Sequence, residues 1–256
     1  MATAVQGTQS FARSISLLRH IAERHQPPTL AELLSECGVT RPSLYRMLAA
    51  LEAEGLIVKT ARNQYLPGPE LISLARKALD GQDLRALARP HLEDLRNATG
   101  ETVHLAVRNG DEMVYIDKID SPQSVRMAST IGTRVAFHST GVGKAFLAAL
   151  PNEEADRLMQ SLKLHAVTQH TATKLAELWE RVGHAQAQGY VFDDQENELG
   201  IVCYGAAILQ APDKPAACIS VSVPLYRHAA EPRHYSDPLI ACTSAISRLL
   251  GHSTAV

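Results

Sequence analysis

Four polar side chains in the first quarter of the chain have types and spacing that suit contact with nucleic acid: Arg41, Ser43, Tyr45 and Arg46. An arginine can form two parallel hydrogen bonds with guanine, and serine and tyrosine hydroxyls can bind bases or phosphates. Lys59 and Arg62 follow at a spacing where basic side chains could contact the sugar-phosphate backbone. With Thr40, these residues form the candidate DNA-binding set.

Two short helical patterns joined by a tight turn would position this set. Thr29 and Glu32 have the spacing of a capping box, which predicts a helix beginning at Thr29. Gly38 suits the left-handed residue that ends that helix, Thr40 can cap the next one, and Gly55 ends it. Apolar residues in the second helix recur at i, i+3, i+4 and i+7 and form an inward stripe: Leu44, Met47, Leu48 and Leu51. The candidate DNA-binding residues of this helix are therefore left on its outer face.

A pair of short strands is predicted next, at residues 56–58 and 64–66, with Lys59 and Arg62 in the connecting tip. With an amphipathic helix over residues 11–22 packed behind, this order predicts a winged helix-turn-helix, whose second helix enters the DNA major groove. The alternative is a helical hairpin of an enzyme with solvent-exposed arginines. It requires the turn, the buried stripe and the strand pair to coincide by chance.

A second candidate set, in the remainder of the chain, could bind a small anion. The turn from His138 to Ala145 lacks the first glycine and the hydroxyl of a Walker A loop. Its free amides at Gly141 and Val142 could still hold a carboxylate at the start of a helix. Ser220 and Ser222 alternate on a predicted strand, so both hydroxyls share one face. A glycine cap needed only for packing, and serines bonded locally, are the alternatives.

Further candidates in this part are Asp193 and Cys203, which flank an acidic, polar loop. Taken alone, Asp193 suits a turn and Cys203 suits a core. Met127, Ile131 and Val135 are apolar residues near the glycine turn, and such residues pack in a core more often than they line a pocket.

The organisation predicted for the whole chain is α+β. A mostly α winged helix-turn-helix is joined by a helical linker to a GAF-like α/β domain with an antiparallel sheet. Asn109-Gly110 marks a hairpin between two strands. Other strands are predicted at 125–127, 134–137, 189–192, 203–209 and 216–223, and helices at 71–78, 84–96, 140–149, 151–162, 174–188 and 238–250, with a break at Gly81. The expected divisions are a disordered arm at 1–10, the DNA-binding domain at 11–67, the linker at 68–83 and the effector-binding domain at 84–256.

Composition narrows the function. The formal net charge is -2, but residues 1–67 hold seven Lys or Arg against five Asp or Glu, a net of +2, which leaves -4 for the rest. A weakly basic module makes few phosphate contacts, so binding as a dimer to two half-sites is expected. No apolar run approaches the ~20 residues of a membrane span, and the first ten residues lack a signal pattern, which indicates a cytoplasmic protein. The four cysteines are too widely spaced for a zinc finger or disulfide scaffold, so we expect no metal and no cofactor.

Several motifs in order resemble one family, the IclR family of bacterial transcriptional regulators, over nearly the whole chain. They lie at residues 42–48, 51–56, 132–134, 138–147, 189–203 and 219–223. The resemblance implies a winged helix-turn-helix regulator, not an enzyme. It would bind double-stranded operator DNA as a homodimer or homotetramer. Its GAF-like domain would bind a small organic acid as the effector, and the expected role is that of a repressor of a catabolic operon.

The resemblance also implies an effector site. Family members that hold a small keto acid bind it at the positions of Gly141, Val142, Asp193, Cys203, Ser220 and Ser222. Met127, Val135 and Ile201 would form the apolar patch that faces the ligand. Ser124 would make that patch more polar or wider, and Phe137 stands where many members have a smaller residue. Residues 114–121 look most like the KdgR-type branch, which senses sugar acids.

Rival interpretations remain open. A GAF-type redox enzyme could use Cys203 with His138 or His104 as a nucleophile pair, although no second cysteine lies nearby in sequence. A nucleotide-binding sensor and a regulator that senses an aromatic acid are the others. In the favoured interpretation, the acid binds two domain arrangements with different affinity and so changes which of them dominates.

Overall fold

The computed structural model describes residues 9–80, 83–125, 127–229 and 231–252. The chain divides into two compact units, residues 1–82 and 83–256. Each unit has its own buried core.

The first unit consists of helices and a two-stranded sheet. Its elements are α1 (Gln9–Glu23), α2 (Leu30–Glu36), α3 (Arg41–Ala53), β1 (Ile57–Lys59), β2 (Tyr65–Pro67) and α4 (Glu70–Asp80). The capping box at α2 is present, because the Thr29 backbone amide donates to Glu32 Oε2 at 2.7 Å and the Glu32 amide donates to Thr29 Oγ1. Gly38 and Gly55 follow α2 and α3 with φ of 60° and 66°, which favours glycine at both turns.

The core of the first unit confirms the predicted inward stripe of α3. Leu44, Met47, Leu48 and Leu51 are buried with residues of α1, α2 and the wing: Leu17, Leu18, Ile21, Leu33, Ile57 and Tyr65. β1 and β2 pair antiparallel, each one residue later than predicted. This is the order of a winged helix-turn-helix.

Two local expectations in this unit were wrong in detail. Thr40 occupies the N-cap position of α3 but makes no side-chain cap bond, because its hydroxyl donates to Ser43 Oγ at 2.9 Å. The predicted disordered arm includes Gln9 and Ser10, and both are helical. The rest of that arm, residues 1–8, and the predicted helix break at Gly81 lie outside the described residues.

The second unit is an antiparallel sheet with helices packed on it. Its elements are α5 (Asp83–Thr99), β3 (Thr102–Asn109), β4 (Glu112–Ile119), β5 (Arg134–Ala136), α6 (Gly141–Ala148), α7 (Asn152–Ser161), α8 (Leu175–Gln188), β6 (Val191–Asp194), β7 (Ile201–Ala211), β8 (Lys214–Pro224) and α9 (Arg233–Leu249). The strand order is β5-β4-β3-β8-β7-β6, and all neighbours run antiparallel. The fold class is therefore the predicted one.

Two layers of helices cover this sheet. Helices α6, α7 and α8 share a buried core with sheet residues such as Ala106, Met113 and Cys218. Helices α5 and α9 pack against each other, α5 also against β3 and β4, and α9 against β7 and β8. The α6 layer matters for function, because the start of α6 meets the sheet where the candidate anion-binding residues lie.

Two predicted elements of this unit were wrong. Residues 125–127 form no strand: Val125 lies in a bend, Met127 is irregular, and Arg126 is outside the described residues. The carbonyl of Met127 accepts a hydrogen bond from Lys118 Nζ at 2.7 Å, so a side-chain donor takes the place of the backbone donor that a neighbouring strand would supply. The last helix begins at Arg233 and not at Pro238, which lies inside it. Tyr235 is buried, so packing holds the turn before the proline.

Candidate functional site

The predicted DNA-binding residues of α3 lie on its solvent side. Arg41, Tyr45 and Arg46 are exposed, Tyr45 by 48%, and Ser43 is half-buried. The guanidinium carbon of Arg41 lies 6.0 Å from the centre of the Tyr45 ring, within range of a weak cation–π contact. Thr40 is exposed at the N-terminal end of the helix. The arrangement leaves a helix with basic and hydroxyl groups outward and an aliphatic stripe inward.

The wing carries the remaining basic pair. Lys59 ends β1 and Arg62 lies in the tip between the strands, and both are exposed. The tip is a compact turn in which the Thr60 amide donates to the Gln64 carbonyl at 2.8 Å and Asn63 has φ of 58°. Two basic side chains on a firm tip beside a reading helix suit the backbone of a duplex.

A cavity of about 230 Å³ lies in the second unit between the sheet and the start of α6. It brings together eight of the nine predicted effector-binding residues: Met127, Val135, Gly141, Asp193, Ile201, Cys203, Ser220 and Ser222. Val142 does not line it, because its side chain is buried in the core beneath α6. Residues that line the cavity without having been predicted are His104, Tyr115, Ala128, Ser129, Thr133, Thr140, Asn197 and Glu198.

Strand register explains why the polar residues meet. Asp193 pairs with Cys203, and Cys203 pairs with Ser222, so the three form a row across β6, β7 and β8. Ser220 pairs with His104 of β3. Side chains at directly opposed positions share a face of the sheet, so these groups point the same way.

Glycines let the amide end of α6 approach this row. A Cβ on Gly141 would lie 3.4 Å from Cys203 Cβ. A Cβ on Gly205 would collide with the Gly141 carbonyl, and one on Gly143 would collide with the backbone of Phe137. Thr140 caps α6 by accepting from the Gly143 amide at 3.2 Å. The Gly141 and Val142 amides, at the first two positions of the helix, are left for a ligand.

A chain of hydrogen bonds crosses the cavity wall. Cys203 Sγ donates to Ser222 Oγ at 3.3 Å, and Ser222 Oγ lies 3.4 Å from His104 Nδ1. The other ring nitrogen of His104 lies 2.7 Å from Ser129 Oγ, and the ring stacks on Tyr115 at a centroid distance of 4.5 Å.

Burial keeps these groups neutral. Desolvation, with a smaller contribution from the Lys118 charge, lowers the pKa of His104 to about 3. Desolvation and the nearby Asp193 raise the pKa of the Cys203 thiol well above its usual range. A thiol held protonated is a poor nucleophile, so the cysteine does not have the character that a redox enzyme needs. His138, the other proposed partner, bonds instead to the His165 carbonyl at 2.9 Å.

Asp193 places a buried carboxyl group in the cavity wall, next to a buried cluster of charged side chains. Its Oδ1 accepts from the Glu196 amide at 2.9 Å. The Glu196 side chain forms ion pairs with Lys144 and Arg181, and the Lys144 side chain is fully buried. Desolvation raises the pKa of Asp193 to about 6, against the opposing effect of the Lys144 charge. The lysine of the glycine turn is therefore a structural cation paired with Glu196.

An irregular segment, residues 127–129, forms part of the cavity wall and is held by Lys118. The Lys118 ammonium donates to the carbonyls of Met127 and Ser129, both at 2.7 Å, and pairs with Asp120 at 2.9 Å. Ser124 and Ile131 are exposed and do not line the cavity, so the predicted effect of Ser124 on the patch was wrong. Phe137 is buried against Phe146, with ring centres 5.5 Å apart, and does not narrow the cavity.

Among the described residues, no cluster of three or more His, Cys, Asp or Glu could hold a metal ion. Within those same ranges no helix is long and apolar enough to span a membrane.

A winged helix-turn-helix followed by a sheet domain with a cavity lined by polar and apolar residues defines a class of protein, the DNA-binding transcriptional regulator. Two family models match the chain: the IclR helix-turn-helix domain over residues 10–61 and the bacterial transcriptional regulator IclR C-terminal domain over residues 76–248. The chain belongs to the IclR family of transcriptional regulators and not to an enzyme family.

Relatives of known function support this assignment. The chain is 32% identical over 229 residues to the transcriptional repressor IclR of Escherichia coli, covering 88% of this chain and 84% of that protein. It is 30% identical to the transcriptional regulator KdgR of Dickeya chrysanthemi, over 87% of this chain and 74% of that one. Because the identities to IclR and to KdgR are nearly equal, they do not place the chain in the KdgR-type branch.

Solved structures give the same result. The crystal structure of Thermotoga maritima IclR matches with a TM-score of 0.75 and 31% identity, and covers 95% of this chain and 99% of that one. The match extends over both units of the chain.

Proposed function

We propose that this regulator is a cytoplasmic repressor of a catabolic operon, controlled by a small carboxylic acid that binds in the 230 Å³ cavity. It acts on operator DNA as a homodimer or homotetramer. The reading helix supplies Thr40, Arg41, Ser43, Tyr45 and Arg46, and the wing supplies Lys59 and Arg62.

The observation that carries the effector assignment is the meeting of the α6 amide end with hydroxyl groups in one cavity. Gly141, Ser220 and Ser222 all line the cavity, and all three are buried. Helix-terminal amides favour negative charge, and a buried carboxylate needs several donors to replace water. Met127, Val135 and Ile201 line the same cavity and offer apolar surface for the remainder of the acid.

The second candidate function is a regulator that senses an aromatic acid. The size and shape of the cavity favour such an acid over a two- or three-carbon keto acid. A cavity of ~150 Å³ holds benzene, so 230 Å³ suits a ligand of about nine non-hydrogen atoms. The stacked rings of His104 and Tyr115 provide a flat aromatic wall. Both ring nitrogens of His104 already contact serine hydroxyls, and its low pKa keeps the ring neutral beside an apolar ligand face.

The acid acts by differential affinity for two arrangements of the regulator. If the bound arrangement spaces the two reading helices wrongly, operator DNA is released. A tenfold change in operator affinity needs a coupling free energy of only ~1.4 kcal/mol. A few hydrogen bonds that exist in one arrangement alone can supply that amount.

A thermal-shift screen tests this proposal. The panel contains benzoate, 4-hydroxybenzoate, pyruvate, glyoxylate and galacturonate, and each acid that raises the melting temperature is then added to a gel-shift titration with promoter DNA. We expect an aromatic acid to raise the melting temperature and to change DNA affinity. Absence of any shift across the panel, or a shift that leaves DNA affinity unchanged, would contradict the proposed control by an acid.

A pair of variants assigns that shift to the cavity. Ser220→Ala combined with Ser222→Ala is expected to remove the thermal shift while DNA binding without acid persists, because both lost hydroxyls line the cavity. Ser161→Ala is the control, since Ser161 ends α7 and does not line the cavity. A normal shift in the double variant would refute the assignment of the site.

A further inference from the structure

A second concave feature lies in the first unit, in a groove of about 450 Å³ between α1 and α3. Ser10, Arg13 and Ser14 line it from α1, and Ser43, Arg46 and Met47 line it from α3. The groove thus has a basic residue on each helix, and its other lining residues include serine hydroxyls and apolar side chains. Its volume is about three times that of a cavity that holds benzene, so it has room for a chain segment rather than a single small ion.

The two arginines of this groove differ from two basic groups near the end of α1 in having no ion-pair partner among the described residues. His20 and Arg24, near the end of α1, both contact Glu36, at 2.7 and 3.0 Å. In the part of the chain that the structure describes, neither Arg13 nor Arg46 has an acidic partner. Two unpaired like charges on one groove repel each other until an anion lies between them.

Helical spacing shows that α3 has two different flanks. Arg41 and Tyr45 are four residues apart and stack with each other. Arg46 and Ala50 are also four residues apart, and with Ser43 they face the α1 side, because all three line the groove. A helix inserted in the major groove has a sugar-phosphate strand along each side. The α1 flank therefore faces one strand while the Arg41 flank is free to meet base edges.

We propose that the α1–α3 groove seats a segment of the DNA phosphate backbone, with Arg13 and Arg46 binding phosphate oxygens. This rests on the proposed DNA binding and adds α1 to the contact surface. Ser43 Oγ accepts the Thr40 hydroxyl at 2.9 Å, so the proton of Ser43 is free to donate to the same phosphate. Guanidinium groups bind phosphate oxygens in pairs of parallel hydrogen bonds, which fixes register without reading sequence.

The test uses the salt dependence of DNA affinity for the full chain. Each phosphate neutralised contributes about 0.9 to the slope of log affinity against log salt concentration. Arg13→Ala is expected to lower that slope by about one on a random-sequence duplex and on a selected operator alike. Arg13→Lys is expected to keep most of the slope, because it keeps the charge.

Arg19→Ala is the matched control. Arg19 is an exposed arginine of the same helix, also without an acidic partner in the described ranges, and it does not line the groove. Both substitutions remove one positive charge, so general electrostatics predicts equal effects. A contact in the groove predicts that only Arg13→Ala changes the slope.

The outcomes separate this inference from the proposed function. If the unmodified protein binds no duplex even at low salt, the proposed DNA binding fails. If it binds DNA and Arg13→Ala behaves like Arg19→Ala, the groove assignment alone is overturned. If Arg13→Ala weakens binding to the selected operator but not to random duplex, Arg13 contacts bases, and the phosphate assignment is wrong.

Discussion

The side chain of Asp193 couples the cavity to pH. Its carboxyl is buried in the wall, and desolvation raises its pKa from 3.8 to about 6. Lys144 and Arg181 face it from α6 and α8, but both already pair with Glu196. Cys203, opposite on β7, is a neutral thiol. A carboxylate bound at the Gly141 amide would therefore meet a second negative charge whenever Asp193 is ionised.

Binding of an acid should consequently be coupled to the uptake of one proton by Asp193 above pH 6, where its carboxyl is ionised. Below pH 6 the carboxyl is already protonated, and no proton is taken up. We expect affinity to be constant at low pH and to fall up to tenfold per pH unit above about 6, since each proton taken up adds one to that slope. Isothermal titration calorimetry on both sides of this pH measures it. In Asp193→Asn, which cannot ionise, the profile should be flat. A flat profile in the unmodified protein would disprove the coupling.

Lys144 is expected to matter for stability and not for phosphate binding. Its fully buried ammonium pairs with Glu196, and Lys144→Met would leave that carboxylate with Arg181 alone. Breaking a buried pair costs ~3–5 kcal/mol of the free energy of unfolding. The control is Lys174→Met, which removes a surface partner of Glu177 at 3.3 Å and should cost far less stability, because solvent screens an exposed ion pair. Equal losses in urea denaturation would contradict a structural role.

At the scale of elements, the docking of α6 on β7 depends on glycine. A Cβ at Gly205 would collide with the Gly141 carbonyl, so Gly205→Ala must push the amide end of α6 away from the strand. We expect a loss of ~1–3 kcal/mol of stability and a weaker thermal shift by the acid. Urea denaturation and the thermal-shift assay measure the two effects.

At Gly183 the same change from glycine to alanine is expected to have the opposite effect on stability. Gly183 lies inside α8, and nothing lies within 4 Å of the Cβ position. Alanine there should stabilise the protein by roughly 0.5–1 kcal/mol, since glycine is unfavourable in a helix interior. If both variants were equally stable, close backbone packing at Gly205 would not be what positions α6.

Local signals predicted most elements of this fold. The capping box at Thr29, the glycines that end α2 and α3, and the hairpin at Asn109-Gly110 each act within a few residues, so sequence alone located them. Residues 125–127 have the composition of a strand, but neither Val125 nor Met127 lies in one, and Lys118 binds the Met127 carbonyl instead. Such an outcome depends on tertiary contacts that a local pattern does not contain.

The lining of the cavity in the second unit was predicted only in part for the same reason. Ser220 and Ser222 share a face by alternation, which sequence shows. That His104 lies opposite Ser220 follows from the pairing of β3 with β8, more than a hundred residues apart. Resemblance to a family supplied Asp193 and Cys203, whereas Tyr115 and Ser129 join the cavity through packing of β4 and of the segment held by Lys118.

At the scale of the whole molecule, charge predicts how the regulator must use DNA. The chain has a net charge of -2, and its first 67 residues carry only +2. A module with so few basic residues neutralises few phosphates, so one copy should bind one half-site weakly. In the proposed homodimer, the second contact with DNA would be intramolecular, which can raise affinity by 10²–10⁴.

The spacing of half-sites should therefore control affinity. A duplex selected from a random pool is expected to contain two half-sites, and deleting one should lower affinity by about 100-fold or more. Inserting half a helical turn, about 5 bp, between them rotates one half-site to the far face of the DNA and should remove the same advantage. Gel-shift titration measures affinity, and light scattering counts the copies in the complex. Tight binding of a single copy to one half-site, unaffected by the insertion, would show that the regulator reads DNA as a monomer.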